Sequence, residues 1–172
     1  VSAQIAINQL KIDDARSDAF DCDFCQGTLN GLQVSDIGGD GFDVSGSRVS
    51  IENSRFTNVK DKAISVGEGS NIRGKNLLFQ DTGYAVVSKD GSSVQLDRII
   101  LKNIRDVGFM SYKKKSEYEG VENITAKDVK SEGEFTLSKS STGSVITIDG
   151  KITTNKEIDV EILYKSELMR KK

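Results

Sequence analysis

The sequence contains no proline, no histidine and no tryptophan, and only two cysteines. Without histidine, serine-protease triads, imidazole zinc sites and histidine general bases are all excluded. No apolar run approaches the roughly 20 residues that cross a bilayer as a helix, so no membrane insertion is expected. Neither charge sign dominates: 24 basic against 26 acidic residues leaves a formal net charge of −2, which gives no footprint for nucleic-acid binding. The chain opens at Val1 without a methionine or a cationic-then-apolar leader, which points to a piece of a longer protein. At 172 residues it suits one compact domain or one repeat array.

What the chain does contain is a repeat. Asp18-Ala19-Phe20-Asp21-Cys22 recurs as Asp40-Gly41-Phe42-Asp43-Val44, then as Lys62-Ala63-Ile64-Ser65-Val66 and Tyr84-Ala85-Val86-Val87-Ser88, each shifted by 22 residues. A looser copy, Val107-Gly108-Phe109-Met110-Ser111, follows after 23. An apolar residue two positions before an Asx residue runs in step, with the Asx at Asp14, Asp36, Asn58, Asp81, Asn103 and Asp128. Ser47, Ser70 and Ser92 close a glycine-containing turn in successive copies.

A period of 22–25 residues fits either leucine-rich repeats or the coils of a parallel β-helix. The copies use Ile, Val, Phe and Ala where a leucine-rich consensus needs Leu, and none holds a stretch of helical apolar spacing. Short alternating runs such as Arg48-Val49-Ser50-Ile51-Glu52, broken by Gly, Asn, Asp or Ser, are strand–turn–strand arithmetic. The expected architecture is therefore an all-β parallel β-helix of about six to seven coils, stacked about 4.8 Å apart. Phe20, Phe42, Ile64, Val86 and Phe109 form one expected inward column, and Val34, Phe56, Phe79 and Leu101 another. The Asx column is expected at a corner, bonding turn amides and its own neighbours.

Residues 1–129 read as coils, and 130–172 as the last coils with a C-terminal cap in the same domain. Within the latter, Phe135-Thr136-Leu137 and Val145 to Ile148 read as further strands and Asp149-Gly150 as a tight turn. Ile158 to Met169 reads as a short strand or cap, and Arg170-Lys171-Lys172 as a solvated tail. Ile5-Ala6-Ile7 reads as an entry from a preceding coil or domain.

The segments GDGFDVSGS (39–47), DKAISVGEGS (61–70), SKDGS (88–92) and SYKKKSEYEG (111–120) resemble the right-handed β-helix repeats of secreted bacterial proteins, including those that also carry a CotH-type kinase domain. The resemblance covers roughly residues 14–129. It implies a right-handed, pectate-lyase-like fold in a secreted, cell-surface or periplasmic bacterial setting, with other domains of the parent chain as partners. It does not make this chain a kinase, because no glycine-rich phosphate loop with catalytic Lys and Asp motifs is present.

Several residue groups are candidates for chemistry. With alternating strand residues facing out, Asp21 and Asp43 stack one coil apart with Asp18 and Asp40 nearby. Carboxylates so close repel unless a cation intervenes, which makes calcium a possible ligand and Lys62, one coil above Asp40, the alternative counter-charge. β-Helix polysaccharide lyases resemble this arrangement, and Lys62 or Lys89 would then be the base that removes a uronate proton. Ser45, Ser65 and Gly67, with Ala19, Gly41, Ala63 and Ala85, suggest a flat outward strip for a polysaccharide or envelope component, flanked by Tyr84 and Tyr112. Lys113 opens a basic run, and charge is uneven: net −5 over residues 1–61 against +3 over 62–172. Cys22 takes the inward position of Val44, and Cys25 the turn position of Ser47. Their redox state stays open on sequence alone.

Three functions follow as expectations: a non-catalytic scaffold of a larger exported protein with a glycan- or envelope-binding surface, a calcium-dependent polyuronate lyase or epimerase-like enzyme, or a purely structural adhesin or fibre segment without small ligands.

Overall fold

The computed structural model describes residues 2–153 and 158–163. The chain winds as a solenoid with three strand-bearing faces per coil. The first face stacks Ala3–Asn8, Cys25–Asn30, the opening halves of Arg48–Val59, Asn71–Gln80, Ser93–Lys102 and Asn123–Glu132, and then Val145–Ile148. The second face stacks Lys11–Ala15, Gln33–Ile37 and the closing halves of those long strands. The third stacks Phe20–Asp23, Phe42–Ser45, Lys62–Gly67, Tyr84–Lys89, Val107–Tyr112 and Thr136–Ser140. Among the described residues every pairing between successive coils is parallel.

The register follows the repeat: Phe20 pairs with Phe42, Phe42 with Ile64, Ile64 with Val86 and Val86 with Phe109. These side chains and the Val34, Phe56, Phe79 and Leu101 column fill one continuous core. The Phe56 and Phe79 rings stack at 5.4 Å between centroids, and Phe20 lies tilted on Phe42 at the same separation.

Two columns of left-handed backbone bend each coil. Gln9, Gly31, Asn53, Asn76, Arg98 and Asp128 turn the chain from the first face to the second, with φ between 50° and 74°. Asp14, Asp36, Asn58, Asp81 and Asn103 form the second bend, with φ from 49° to 56°. Asx side chains tolerate this conformation because they hydrogen-bond locally. They also bond up the stack: Asn53 Nδ2 donates to Asn30 Oδ1 and Asn76 Nδ2 to Asn53 Oδ1, both at 2.8 Å.

Asp128 therefore does not continue the Asp14 column. It is level with Arg98, and the next residue in the Asn103 column is Gly133, 30 residues on. The cause is an inserted loop, residues 113–122, at the third corner. It lengthens that coil so that Ser93 pairs with Asn123, whereas the preceding step pairs Asn71 with Ser93.

Thr136–Ser140 and Val145–Ile148 continue the ladders, and Asp149-Gly150 turns the chain into an antiparallel strand, Lys151–Ile152, against the last first-face strand. Residues 158–163 differ from the expected strand or end cap. They enter a helical turn at 160–163, with the Asp159 carboxylate accepting from the Ile162 amide at 3.0 Å. Ile158, Val160 and Leu163 pack on the outward side of the third face, not over the end of the stack. Residues 164–172, expected as the rest of the cap and a solvated tail, lie outside the described residues.

Candidate functional site

The third face carries most of the residues singled out by sequence. Its strands do not alternate from their first residue. Ala63 and Ala85 follow the outward Lys62 and Tyr84 yet are fully buried in the core beside Ile64 and Val86. At Gly41 an added Cβ would meet the Phe56 ring, so this position too faces in. The flat outward strip of small residues is thus corrected: Ala19, Gly41, Ala63 and Ala85 close the core corner.

The acidic residues stack in the expected register. The Asp40 amide donates to Asp18 Oδ1 at 2.6 Å, and the Lys62 amide donates to Asp40 Oδ1 at 3.0 Å. Lys62 Nζ donates to Asp61 Oδ2 at 2.8 Å and lies 3.5 Å from Asp40 Oδ1, with its side chain 5% exposed. Burial pushes the Asp40 carboxyl up to about 6; Lys62 opposes that rise, while Asp61 and Asp43 add to it. Burial, then the charges of Asp43, Asp23 and Asp18, also raises Asp21. Asp18 and Asp40 thus serve as acceptors for the amides of the next coil, with Asp21 and Asp43 paired in register beside them, and among the described residues no three acidic or thiol side chains converge as metal ligands.

This placement corrects the expectation of a free base at Lys62, because its ammonium is enclosed between carboxylates. Lys89 Nζ donates to Ser65 Oγ at 2.9 Å. Ser65 is fully buried and Ser45 half-buried. Tyr84 and Tyr112 are buried in the cluster that residues 158–163 cover, so neither offers an open ring to a sugar. Lys113 is also held inward: its ammonium donates to the carbonyls of Tyr118 at 3.1 Å and Gly120 at 2.9 Å, and lies 3.3 Å from Glu122. The loop it opens is tied down by Asp90, whose Oδ1 accepts from the Lys114 and Lys115 amides, both at 2.7 Å. Lys115 and Tyr118 both bond Glu68, and these bonds hold the Glu68 carboxyl below its ordinary range. Lys113 and Lys115 are therefore counter-charges within a folded loop.

The third corner is a ladder of buried hydroxyls. The Cys25 amide donates to Ser47 Oγ at 2.8 Å, the Ser47 amide to Ser70 Oγ at 2.9 Å, and the Ser70 amide to Ser92 Oγ at 3.1 Å. Cys25 starts this column and is disulfide-bonded to Cys22.

A further concavity lies on the first face. It measures about 680 Å³ and is lined by two outward columns, Ser50-Arg73-Gln95-Thr125 and Glu52-Lys75-Asp97-Lys127. Asp97 pairs with Arg98 at 3.6 Å. Among the described residues Arg73, Lys75 and Lys127 make no ion pair within 4.0 Å, while Glu52 and Asp97 alternate with Lys75 and Lys127 in register along one wall, so the groove carries charges of both signs. Sequence reasoning passed over these residues although the signal was present: they recur one coil apart at polar positions of the same alternating strands.

The right-handed β-helix region family model matches residues 18–167, and the chain belongs to that family. No curated protein and no solved structure matches it.

Proposed function

We propose that this β-helix domain is a non-catalytic, rigid scaffold of a larger exported protein that holds a polysaccharide along its first face. The observation that carries the reading is the open groove walled by Arg73, Gln95, Thr125, Lys75 and Lys127. Stacked coils set these donors and acceptors on a rigid sheet at regular spacing, which suits a polymer with repeated hydroxyls and needs little ordering on binding. Lyase chemistry gains no comparable support, because Lys62 is enclosed by Asp40 and Asp61 and the Lys89 ammonium is hydrogen-bonded to Ser65.

The Cys22–Cys25 disulfide supports an oxidising, exported setting. The resemblance to pectate-lyase-like repeats of secreted bacterial proteins, some with CotH-type kinase domains, supports the same setting with other domains of the parent chain as neighbours. The test is a panel of soluble polysaccharides assayed for binding by calorimetry, with unsaturated product followed in parallel. Binding without cleavage, lost about tenfold or more in Arg73→Ala/Gln95→Ala by removal of two charged or polar contacts, is the expected result. Cleavage by the wild-type chain, or binding indifferent to both substitutions, overturns the reading.

A further inference from the structure

Among the described residues Phe24 is the one exposed aromatic, at 56%, and its backbone is left-handed at φ 55°. A bulky side chain in that conformation is strained, and such strain persists where the surrounding structure enforces it, commonly at a functional site. Two neighbours enforce it here. The Cys22–Cys25 disulfide brackets Phe24, and Gly46 lies against its ring, where an added Cβ would come within 2.7 Å of two ring carbons.

The next coil shows the unstrained alternative. The Phe24 amide donates to the Ser45 carbonyl and the Gly46 amide to the Gly67 carbonyl, so both residues occupy the same corner of successive coils. Gly46 is left-handed too, at φ 60°, and glycine meets that need without a steric penalty. Phenylalanine at this corner leaves most of its ring in water, so burial does not account for it.

The surroundings of the ring point to a ligand class. The corner adjoins the first face, whose nearest outward column runs Gln26, Arg48, Asn71, Ser93 and Asn123 in register. That column separates the corner from the Ser50-Arg73-Gln95-Thr125 wall of the groove, and it contains neither a carboxylate nor an apolar side chain. An open ring beside amide and guanidinium groups suits a pyranose. The C–H face of the sugar packs on the electron-rich face of the ring, and its hydroxyls meet planar hydrogen-bonding groups. A peptide or lipid partner would need further apolar surface, which this column does not supply.

Building on the polysaccharide reading of the groove, we propose that Phe24 is a stacking platform for a pyranose unit at the corner edge of the first-face site, with Gln26 and Arg48 bonding the sugar hydroxyls. The disulfide and Gly46 hold the ring in place, so little ordering is needed when the sugar binds.

The test titrates the wild-type chain, Phe24→Gly and Phe24→Tyr with cellohexaose, chitohexaose and hexagalacturonate by calorimetry, and melts each protein. Phe24→Gly is expected to raise the melting midpoint by about 2–4 °C through relief of strain. It should also weaken binding of whichever hexasaccharide the wild type holds by about tenfold, the scale of one aromatic face returned to water. Phe24→Tyr keeps the ring and should bind within about twofold of wild type. Stability and affinity moving in opposite directions is a signature that a purely structural phenylalanine would not produce. A lower midpoint in Phe24→Gly would assign the ring to packing and overturn the proposal. Wild-type binding that survives Phe24→Gly but falls in Arg73→Ala/Gln95→Ala would overturn it and leave the groove reading standing. No binding of any of the three by the wild type would overturn both.

Discussion

Ser47 and Ser70 sit one coil apart at the third corner, and each satisfies a buried amide of the coil before it: Ser70 Oγ accepts from the Ser47 amide at 2.9 Å, as Ser47 Oγ accepts from Cys25 at 2.8 Å. Both side chains are fully or almost fully buried, so water has no access to either amide. Ser47→Ala is expected to cost about 1–3 kcal/mol, the penalty of an orphaned buried donor. Urea unfolding measures it. A loss below a few tenths would mean that the corner relaxes to find another acceptor.

Arg98 occupies the left-handed bend that Gly31, Asn53 and Asn76 occupy in other coils, at φ 58°. A long side chain gains nothing there, and its 3.6 Å pairing with Asp97 is solvent-exposed. Arg98→Gly should therefore raise stability by about 0.5–1 kcal/mol through relief of backbone strain. Asn53→Ala in the same column should do the reverse, since it also removes the amide ladder to Asn30 and Asn76. Thermal melts of the two variants moving in the same direction would contradict this account of the bend.

The Asp40 carboxyl, at about 6 in the folded chain against 3.8 as its ordinary value, sets a pH dependence. A raised carboxyl pKa means that the folded state holds the proton more tightly than the unfolded chain. Its contribution is therefore full below about 3.8 and lost as pH rises through 6. Asp21 contributes with the same sign. Asp40→Asn keeps an oxygen for the Lys62 amide and should flatten the stability profile between pH 4 and 6, as roughly that window separates the two pKa values. Chemical unfolding across that range reads it; an unchanged slope in the variant sinks the assignment.

Glu68 has the opposite sign. Its bonds to Lys115 and Tyr118 lower its pKa below the ordinary 4.5, so its hold on the inserted loop is present above that value and fails on acidification. Glu68→Gln should speed tryptic cleavage at the Lys113-Lys114-Lys115 run at neutral pH, with little change in global unfolding. Equal cleavage rates would show that Asp90 alone holds the loop.

The solenoid was legible in the sequence because each coil repeats its inward residues every 22 or 23 positions, and parallel in-register stacking converts that interval into contact. The inward Phe42, Ile64 and Val86, the Ser47 turn and the positive-φ Asx bend all follow from it. Asp128 was misplaced because the inserted loop shifts phase by an amount that a neighbouring Asx mimics. The alanines were misplaced because alternation breaks at the start of each third-face strand, where two successive residues face in. The burial of Tyr84 and Tyr112 is not legible in the sequence, since a distant segment, residues 158–163, covers them and periodicity carries no sign of such a contact. The first-face groove is made of ordinary outward polar residues, and only the stacking of Arg73, Gln95 and Thr125 distinguishes it.

The most direct test of the groove assignment is nitrogen-15 shift mapping during titration with the polysaccharide that binds best. Amide shifts concentrated at Ser50, Arg73, Gln95 and Thr125, with the third face silent, are the expected result. Shifts centred on Ser45, Ser65 and Lys89, or none with any polysaccharide, would contradict it.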